Sequence, residues 1–193
     1  MDLSVWGTGR FVHRYSNRQL RPVEVMILIR HREDLSGRVL ELGCGAGRIA
    51  GYLVEVAHEL HGLDLSPRMV AECRRRYPGG HFQTGDMRHL SRFETGSFDA
   101  VLAGFNVLDV LGDEERRLTL REIGRVLRDY ALVSDGAHGF MLVHYFITAA
   151  AQLRQLAEEG FEPVSCLDLD GRALASGESA PEVDELHYVA RRA

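Results

Sequence analysis

Short apolar runs alternate with segments of helical period along the first two thirds of the chain. The apolar runs that stop at glycine or acidic residues predict buried strands at 38–42, 60–65, 81–83 and 98–103. Segments with apolar residues three and four positions apart predict helices at 22–32, 49–56, 66–76 and 113–127. Strands that alternate with helices predict an α/β fold with an open, mostly parallel, twisted sheet and helices on both faces.

The last third of the chain has a different pattern. Thr148 is the predicted N-cap of a helix that ends at Gly160, and apolar or alternating runs at 161–169 and 186–190 predict two final strands. Because no helix separates these two strands, we expect an antiparallel hairpin at one edge of the sheet. Ser66 and Asp113 are the predicted N-caps of two of the earlier helices.

Composition narrows the chemistry. The chain has 193 residues, which suits one domain, and its net charge of −5 argues against a non-specific grip on nucleic acid. Every basic residue is arginine, so a phosphate-binding or Schiff-base lysine is excluded. No apolar run is long enough to cross a bilayer, and residues 1–10 lack the apolar core of a signal peptide. Cys44, Cys73 and Cys166 suggest no disulfide framework, so we expect the cytoplasm as the compartment.

A glycine-rich turn follows the first strand, in the run Glu41-Leu-Gly-Cys-Gly-Ala-Gly47. Glycines there allow the backbone to approach a ligand closely, and the next helix offers unpaired N–H groups. Asp64 ends the second strand, where a carboxylate can accept hydrogen bonds from a ribose. An acid and an apolar side chain, Asp86 and Met87, follow the third strand and could hold an adenine. Arg48 stands where the third glycine of a dinucleotide-binding pattern would fall, which counts against that alternative.

These elements together resemble the class I S-adenosylmethionine (SAM)-dependent methyltransferases of the small-molecule type, over about Val39 to Arg128. The resemblance implies a Rossmann-like fold, SAM as cofactor and methyl transfer to a small-molecule acceptor. It divides the single expected domain, 1–193, into an N-terminal lid or helical segment (1–36), a SAM-binding core (37–128) and a substrate-side segment with the hairpin (129–193). The cofactor-binding residues that it implies are Tyr15, Glu41, Gly43, Cys44, Gly45, Gly47, Asp64, Leu65, Met69, Gly85, Asp86, Met87, Ala103 and Phe105.

The chain departs from this family after Arg128, where a turn and an apolar fifth strand are expected. Residues 130–134 and 140–147 are the best strand candidates, and together they resemble a hairpin. Either one of them fills the fifth position or a segment usual in the family is absent.

The sequence does not decide which residue acts in catalysis. A sulfonium methyl needs alignment with its acceptor more than a base, and His13 and His144 are the candidates if a proton must leave. No cluster of ligands at metal-binding spacing is present in the sequence, so we expect no metal. The expected partner is a small molecule, with no nucleic acid and no membrane, and a homodimer is left open. Two alternatives remain: a non-catalytic SAM-binding domain and an NAD-dependent oxidoreductase.

Overall fold

Seven strands pair into one sheet in a computed structural model of the chain, which describes residues 19–104, 107–136, 148–174 and 185–193. The strands are β1 (Arg38–Leu42), β2 (Glu59–Asp64), β3 (His81–Thr84), β4 (Phe98–Ala103), β5 (Leu127–Gly136), β6 (Phe161–Leu167) and β7 (Glu185–Arg192). Their order across the sheet is β3-β2-β1-β4-β5-β7-β6. The first five strands of that order are parallel, and β7 is antiparallel to both of its neighbours. The predicted fold class and the antiparallel C-terminal hairpin are therefore confirmed.

Helices cover both faces of the sheet. They are α1 (Pro22–Arg30), α2 (Ala50–Val56), α3 (Pro67–Arg76), α4 (Asp113–Val126) and α5 (Ala149–Glu158). One apolar core packs α1, α2 and α3 against the sheet, and a second packs α4 and α5 against the other face. Burial of both faces explains why β1 and β4 are almost continuously apolar.

Two of the three predicted helix caps are confirmed. The Ser66 hydroxyl accepts a hydrogen bond from the Met69 N–H at the start of α3, and the Thr148 hydroxyl accepts one from Ala151 N–H at the start of α5. Both side chains satisfy backbone donors that a helix start leaves unpaired.

The predicted cap at Asp113 is wrong by one residue. Gly112, in an extended conformation, is the N-cap of α4, and its N–H donates to Glu115 Oε2 at 3.2 Å. Asp113 is the first helical residue, and its carboxylate accepts hydrogen bonds from Arg117 and Gln155 instead. A side chain that is used by two other groups leaves the capping to glycine and to the acid three residues later.

The fifth strand begins directly where α4 ends, with no connecting loop. The candidate at 130–134 lies in β5, whereas the candidate at 140–147 lies outside the described residues. Phe98 pairs with Leu127 and Ala100 pairs with Tyr130, so β5 carries one extra residue against β4.

The two edge strands of the sheet are β3 and β6, and β6 contains Pro163 at a shift in register against β7. A proline at an edge strand costs no ladder hydrogen bond on its open side and discourages further strand pairing. The described residues include no helix that is long and apolar enough to span a membrane.

Candidate functional site

The glycine-rich turn lies at the carboxyl end of β1, between the neighbouring ends of β2 and β4. Gly43, Gly45 and Gly47 all have positive φ, at 63°, 53° and 87°. The turn is tied to β2 by the Cys44 N–H, which donates to the Leu63 carbonyl at 3.1 Å. Three left-handed residues in five positions are tolerated because each is glycine.

Close neighbours also require glycine at two of these positions. A Cβ on Gly47 would lie 2.5 Å from the Tyr77 ring and 2.9 Å from Cys73 Sγ. A Cβ on Gly43 would lie 2.4 Å from a Val107 methyl. The turn is therefore held in one conformation by the helix and loop that pack against it.

Asp64 ends β2 and joins it to the glycine turn. Its Oδ2 accepts the Gly45 N–H at 2.9 Å, and its Oδ1 accepts the Ser66 N–H at 2.8 Å. Burial raises the pKa of Asp64, and these two backbone hydrogen bonds partly oppose that rise. A carboxylate oxygen has more than one lone pair, so both oxygens keep capacity for a ligand hydroxyl.

Glu41, in β1, is the most isolated acid of the site. Its side chain is buried, with 3% of the residue exposed, and Oε2 has no hydrogen-bond partner among the residues that the structure describes. Burial raises the pKa of Glu41 to about 8, although the charge of Arg48 opposes the rise, and the charge of Asp64 adds to it. A buried acid in this position would be stabilised by a positively charged or hydrogen-bond-donating partner.

Arg48 follows the glycine turn and binds an acid on a different element. Its Nη1 and Nη2 each donate to one carboxylate oxygen of Glu24 in α1, both at 2.5 Å. Burial of Glu24 opposes ionisation, but the hydrogen bonds and charge of Arg48 lower its pKa below the usual value. This buried, bidentate pair fastens α1 to the turn.

Asp86, after β3, has a different environment from Asp64. Arg88 donates to its carboxylate through Nε and Nη2, at 3.0 and 2.6 Å, and lowers its pKa. Arg88 also pairs with Glu115 of α4. The neighbouring Gly85 N–H donates to the Asp64 carbonyl, so this segment lies against the end of β2.

The remaining predicted cofactor residues occupy the same end of the sheet or lie outside the described residues. Cys44, Met69, Met87 and Ala103 are buried, and Leu65 is partly buried. Tyr15, Phe105, His13 and His144 lie outside the described residues. Their roles stay predictions.

Sequence reasoning missed two contacts around the turn. It treated Arg48 as a departure from a glycine pattern, whereas an arginine at the N-terminal end of a helix is itself a sign that an acid lies nearby. It also treated the cysteines as unrelated, but the Cys44 and Cys73 thiols are hydrogen-bonded under the turn, which together with burial raises the pKa of Cys44 well above its usual range.

No three His, Cys, Asp or Glu side chains are grouped as metal ligands within the described ranges. Strand order and turn together define a doubly wound, Rossmann-like domain whose ligand site lies where the chain switches from one half of the sheet to the other.

Comparisons with known proteins agree with the Rossmann-like class of this domain. Residues 39–130 match a family model described as "Methyltransferase domain". The chain is 38% identical to the 18S rRNA (guanine-N(7))-methyltransferase of Bos taurus over 71 residues, covering 37% of this chain and 25% of that protein. It is 35% identical to the trans-aconitate 2-methyltransferase of Methylobacterium nodulans over 88 residues, covering 45% of this chain and 33% of that protein.

A similar solved structure is an S-adenosylmethionine-dependent methyltransferase from Clostridium acetobutylicum, with a TM-score of 0.76 and 10% identity. The comparison covers 95% of this chain and 98% of that one, and the TM-score shows that the two share a fold. The chain spans less than half the length of the first curated relatives that it matches. The domain described here has the class I, Rossmann-like fold of the SAM-dependent methyltransferases, and its core matches their methyltransferase domain.

Proposed function

We propose that this chain binds SAM at the glycine turn and transfers its methyl group to a small-molecule acceptor. One observation carries the proposal: a left-handed glycine turn lies between two acids on neighbouring parallel strands, the buried Glu41 and the partly buried Asp64. The family match of residues 39–130 supports the same function.

The residues at the turn fit this cofactor. SAM carries an ammonium group and a ribose diol, and each suits an acidic group of this site. Glu41 Oε2, which has no partner in the described part of the chain, suits the ammonium group. Asp64 suits the diol, because both oxygens keep lone pairs beyond their backbone hydrogen bonds. Gly43, Gly45 and Gly47 let the backbone approach the methionine part.

Bound SAM supplies a methyl group that is already electrophilic because the sulfur is positively charged. The chain itself has to hold the acceptor in line with that methyl group and keep water away. β4 is the neighbour of β1 in the sheet, and it ends at Ala103. The end of β4 is therefore the part of the described backbone to which we assign this task. A base is needed only for an acceptor that must lose a proton, and His13 and His144 are the candidates that we carry forward from the sequence.

A small acceptor is favoured over RNA by charge. The net charge is −5, and phosphate-rich partners are held mainly by basic surfaces. The two curated relatives differ on this point, since one name specifies trans-aconitate and the other an rRNA.

Calorimetric titration with SAM, its demethylated product S-adenosylhomocysteine and NAD tests the cofactor. We expect micromolar binding of the first two and none of NAD. Asp64→Ala should weaken SAM binding by about 1–3 kcal/mol, because hydrogen bonds to a charged group are lost. Asp170→Ala, at an exposed position beyond β6, is the matched control and should bind as the wild type does. Binding of NAD alone, or unchanged SAM affinity in folded Asp64→Ala, would overturn the cofactor assignment.

Transfer of a radiolabelled methyl group from SAM tests the acceptor. We expect label on members of a panel of small carboxylic acids, phenols and thiols, and none on ribosomal RNA. Label on RNA alone would replace the small-molecule assignment, and SAM binding without label on any acceptor would favour the non-catalytic alternative.

A further inference from the structure

The acid nearest the start of the glycine turn is Glu41, which has no ion pair with an arginine or histidine in the described part of the chain. Glu41 is buried in β1, and its Oε2 accepts no hydrogen bond within the described ranges. Arg48 is close enough for its charge to act on Glu41. However, both terminal nitrogens of Arg48 are bound to Glu24, at 2.5 Å each.

The Arg48–Glu24 pair therefore limits how far Arg48 can stabilise an ionised Glu41 against the effect of burial. A guanidinium that already has a bidentate carboxylate partner is largely neutralised for a third group. The α1 helix holds Glu24 in place, because Val23, Ile27 and Leu28 are buried in the core beneath it. The Tyr52 hydroxyl also donates to the Leu28 carbonyl and fastens α1 to α2.

Within the described ranges, the other groups that act on Glu41 bring no positive charge. Asp64 lies at the end of the adjacent strand and is held as an acceptor by two backbone N–H groups. Its negative charge opposes a second one beside it. The charge of Glu41 also raises the pKa of Cys44, whose thiol is hydrogen-bonded to Cys73 and is neutral. A neutral Glu41 is the form that this surrounding favours.

We infer that Glu41 is a neutral carboxylic acid in the ligand-free chain and ionises when a ligand brings an ammonium group to the turn, so that binding releases one proton. The carboxyl O–H bond breaks, the proton passes to solvent buffer, and the new carboxylate faces the ammonium group. The inference rests on the proposed function, because it takes the ligand to be SAM or its product.

The decisive measurement uses the wild-type chain and S-adenosylhomocysteine. Titration at pH 7 in phosphate and in Tris, which differ in ionisation enthalpy, gives the number of protons released. With a pKa of about 8, Glu41 is mostly protonated at this pH, so we expect about 0.5–1 proton per ligand. Methylthioadenosine shares the adenosine and sulfur but lacks the amino-acid end, and it should bind with no proton release.

Two variants assign the proton to its source. Glu41→Gln keeps the shape and the neutral state, so it should fold, release no proton and bind S-adenosylhomocysteine about tenfold more weakly. Its affinity for methylthioadenosine should stay within about twofold of the wild type, because that ligand brings no charge. Glu94→Gln, at an exposed position, is the matched control and should release as many protons as the wild type.

The outcomes separate the inference from the proposed function. Binding of S-adenosylhomocysteine without proton release, equal release with methylthioadenosine, or full release by Glu41→Gln would each overturn the role of Glu41 and leave the function standing. If neither SAM nor S-adenosylhomocysteine binds the folded wild-type chain, the proposed function itself fails, and the inference fails with it.

Discussion

Two glutamates of this chain, the buried Glu41 and the partly buried Glu159, have pKa values shifted in opposite directions. Glu41 lies in β1 beside the glycine turn, and burial raises its pKa to about 8. Glu159, at the end of α5, accepts hydrogen bonds from Arg121 Nε at 2.8 Å and from Arg117 Nη1 at 3.2 Å. The hydrogen bonds from Arg121, followed by those from Arg117, lower the pKa of Glu159 despite the cost of burial.

The difference follows from the part that each region plays. Arginine and acid side chains form ion pairs between α4 and α5. Arg117 by itself pairs with three acids, Asp113, Glu158 and Glu159. At the turn, the nearby arginine is bound to α1, and an acid is left for something outside the chain. Charged side chains that are fully paired with one another stabilise the fold. A buried charged side chain without such a partner indicates a ligand site.

We expect the largest effect on the free energy of unfolding when one glycine of each region is replaced by alanine. Gly47 and Gly160 have nearly the same φ, 87° and 84°, but a Cβ on Gly160 would meet no atom within 4 Å. Gly47→Ala combines left-handed strain with overlap against Tyr77 and Cys73, so it should cost roughly 2–5 kcal/mol of unfolding free energy. Gly160→Ala should cost only about 1–2 kcal/mol, because strain acts alone.

Urea unfolding of both variants measures these costs, and calorimetry of the folded fraction should find no SAM binding by Gly47→Ala. Equal destabilisation of the two variants would show that the turn is not constrained by its neighbours.

A smaller effect is expected from the pH dependence of stability. The folded-state pKa of Glu41 is raised from 4.5 to about 8, so its contribution to stability is fully present below about pH 4.5 and is lost as the pH rises through 8. Between pH 5 and pH 8 the wild type should therefore lose about 2–4 kcal/mol more unfolding free energy than Glu41→Gln. Parallel pH dependence of the two proteins in urea titrations would contradict a neutral Glu41.

The smallest effect is expected on the paired side of the comparison. Glu159→Gln should lower the free energy of unfolding by about 1 kcal/mol, and the loss should shrink at high salt. The control is Glu72→Gln, which breaks an i,i+3 pair with the largely exposed Arg75 and should cost about 0.3 kcal/mol or less. If Glu159→Gln costs no more than its control, the α4–α5 ion pairs do not hold the helices together.

Sequence alone was sufficient for the features that depend on local patterns. The alternation of strands and helices, the glycine turn after β1 and the caps at Ser66 and Thr148 all follow from residues a few positions apart. The resemblance to methyltransferases rests on the same local runs, and the family match covers nearly the stretch that carries it. Local patterns are readable because glycine conformation, capping and burial period are set by neighbouring residues.

Only the tertiary structure decided which charges meet. Glu24 and Arg48 are 24 positions apart, and Cys44 and Cys73 are 29 apart, so no local pattern announces either contact. The start of β5 was also undecided in the sequence, and the structure places it at Leu127, with a bulge in the pairing with β4. The sequence determined that an acid stands before the glycine turn. Whether that acid is paired depends on where α1 packs, since packing brings distant charges within reach of one another.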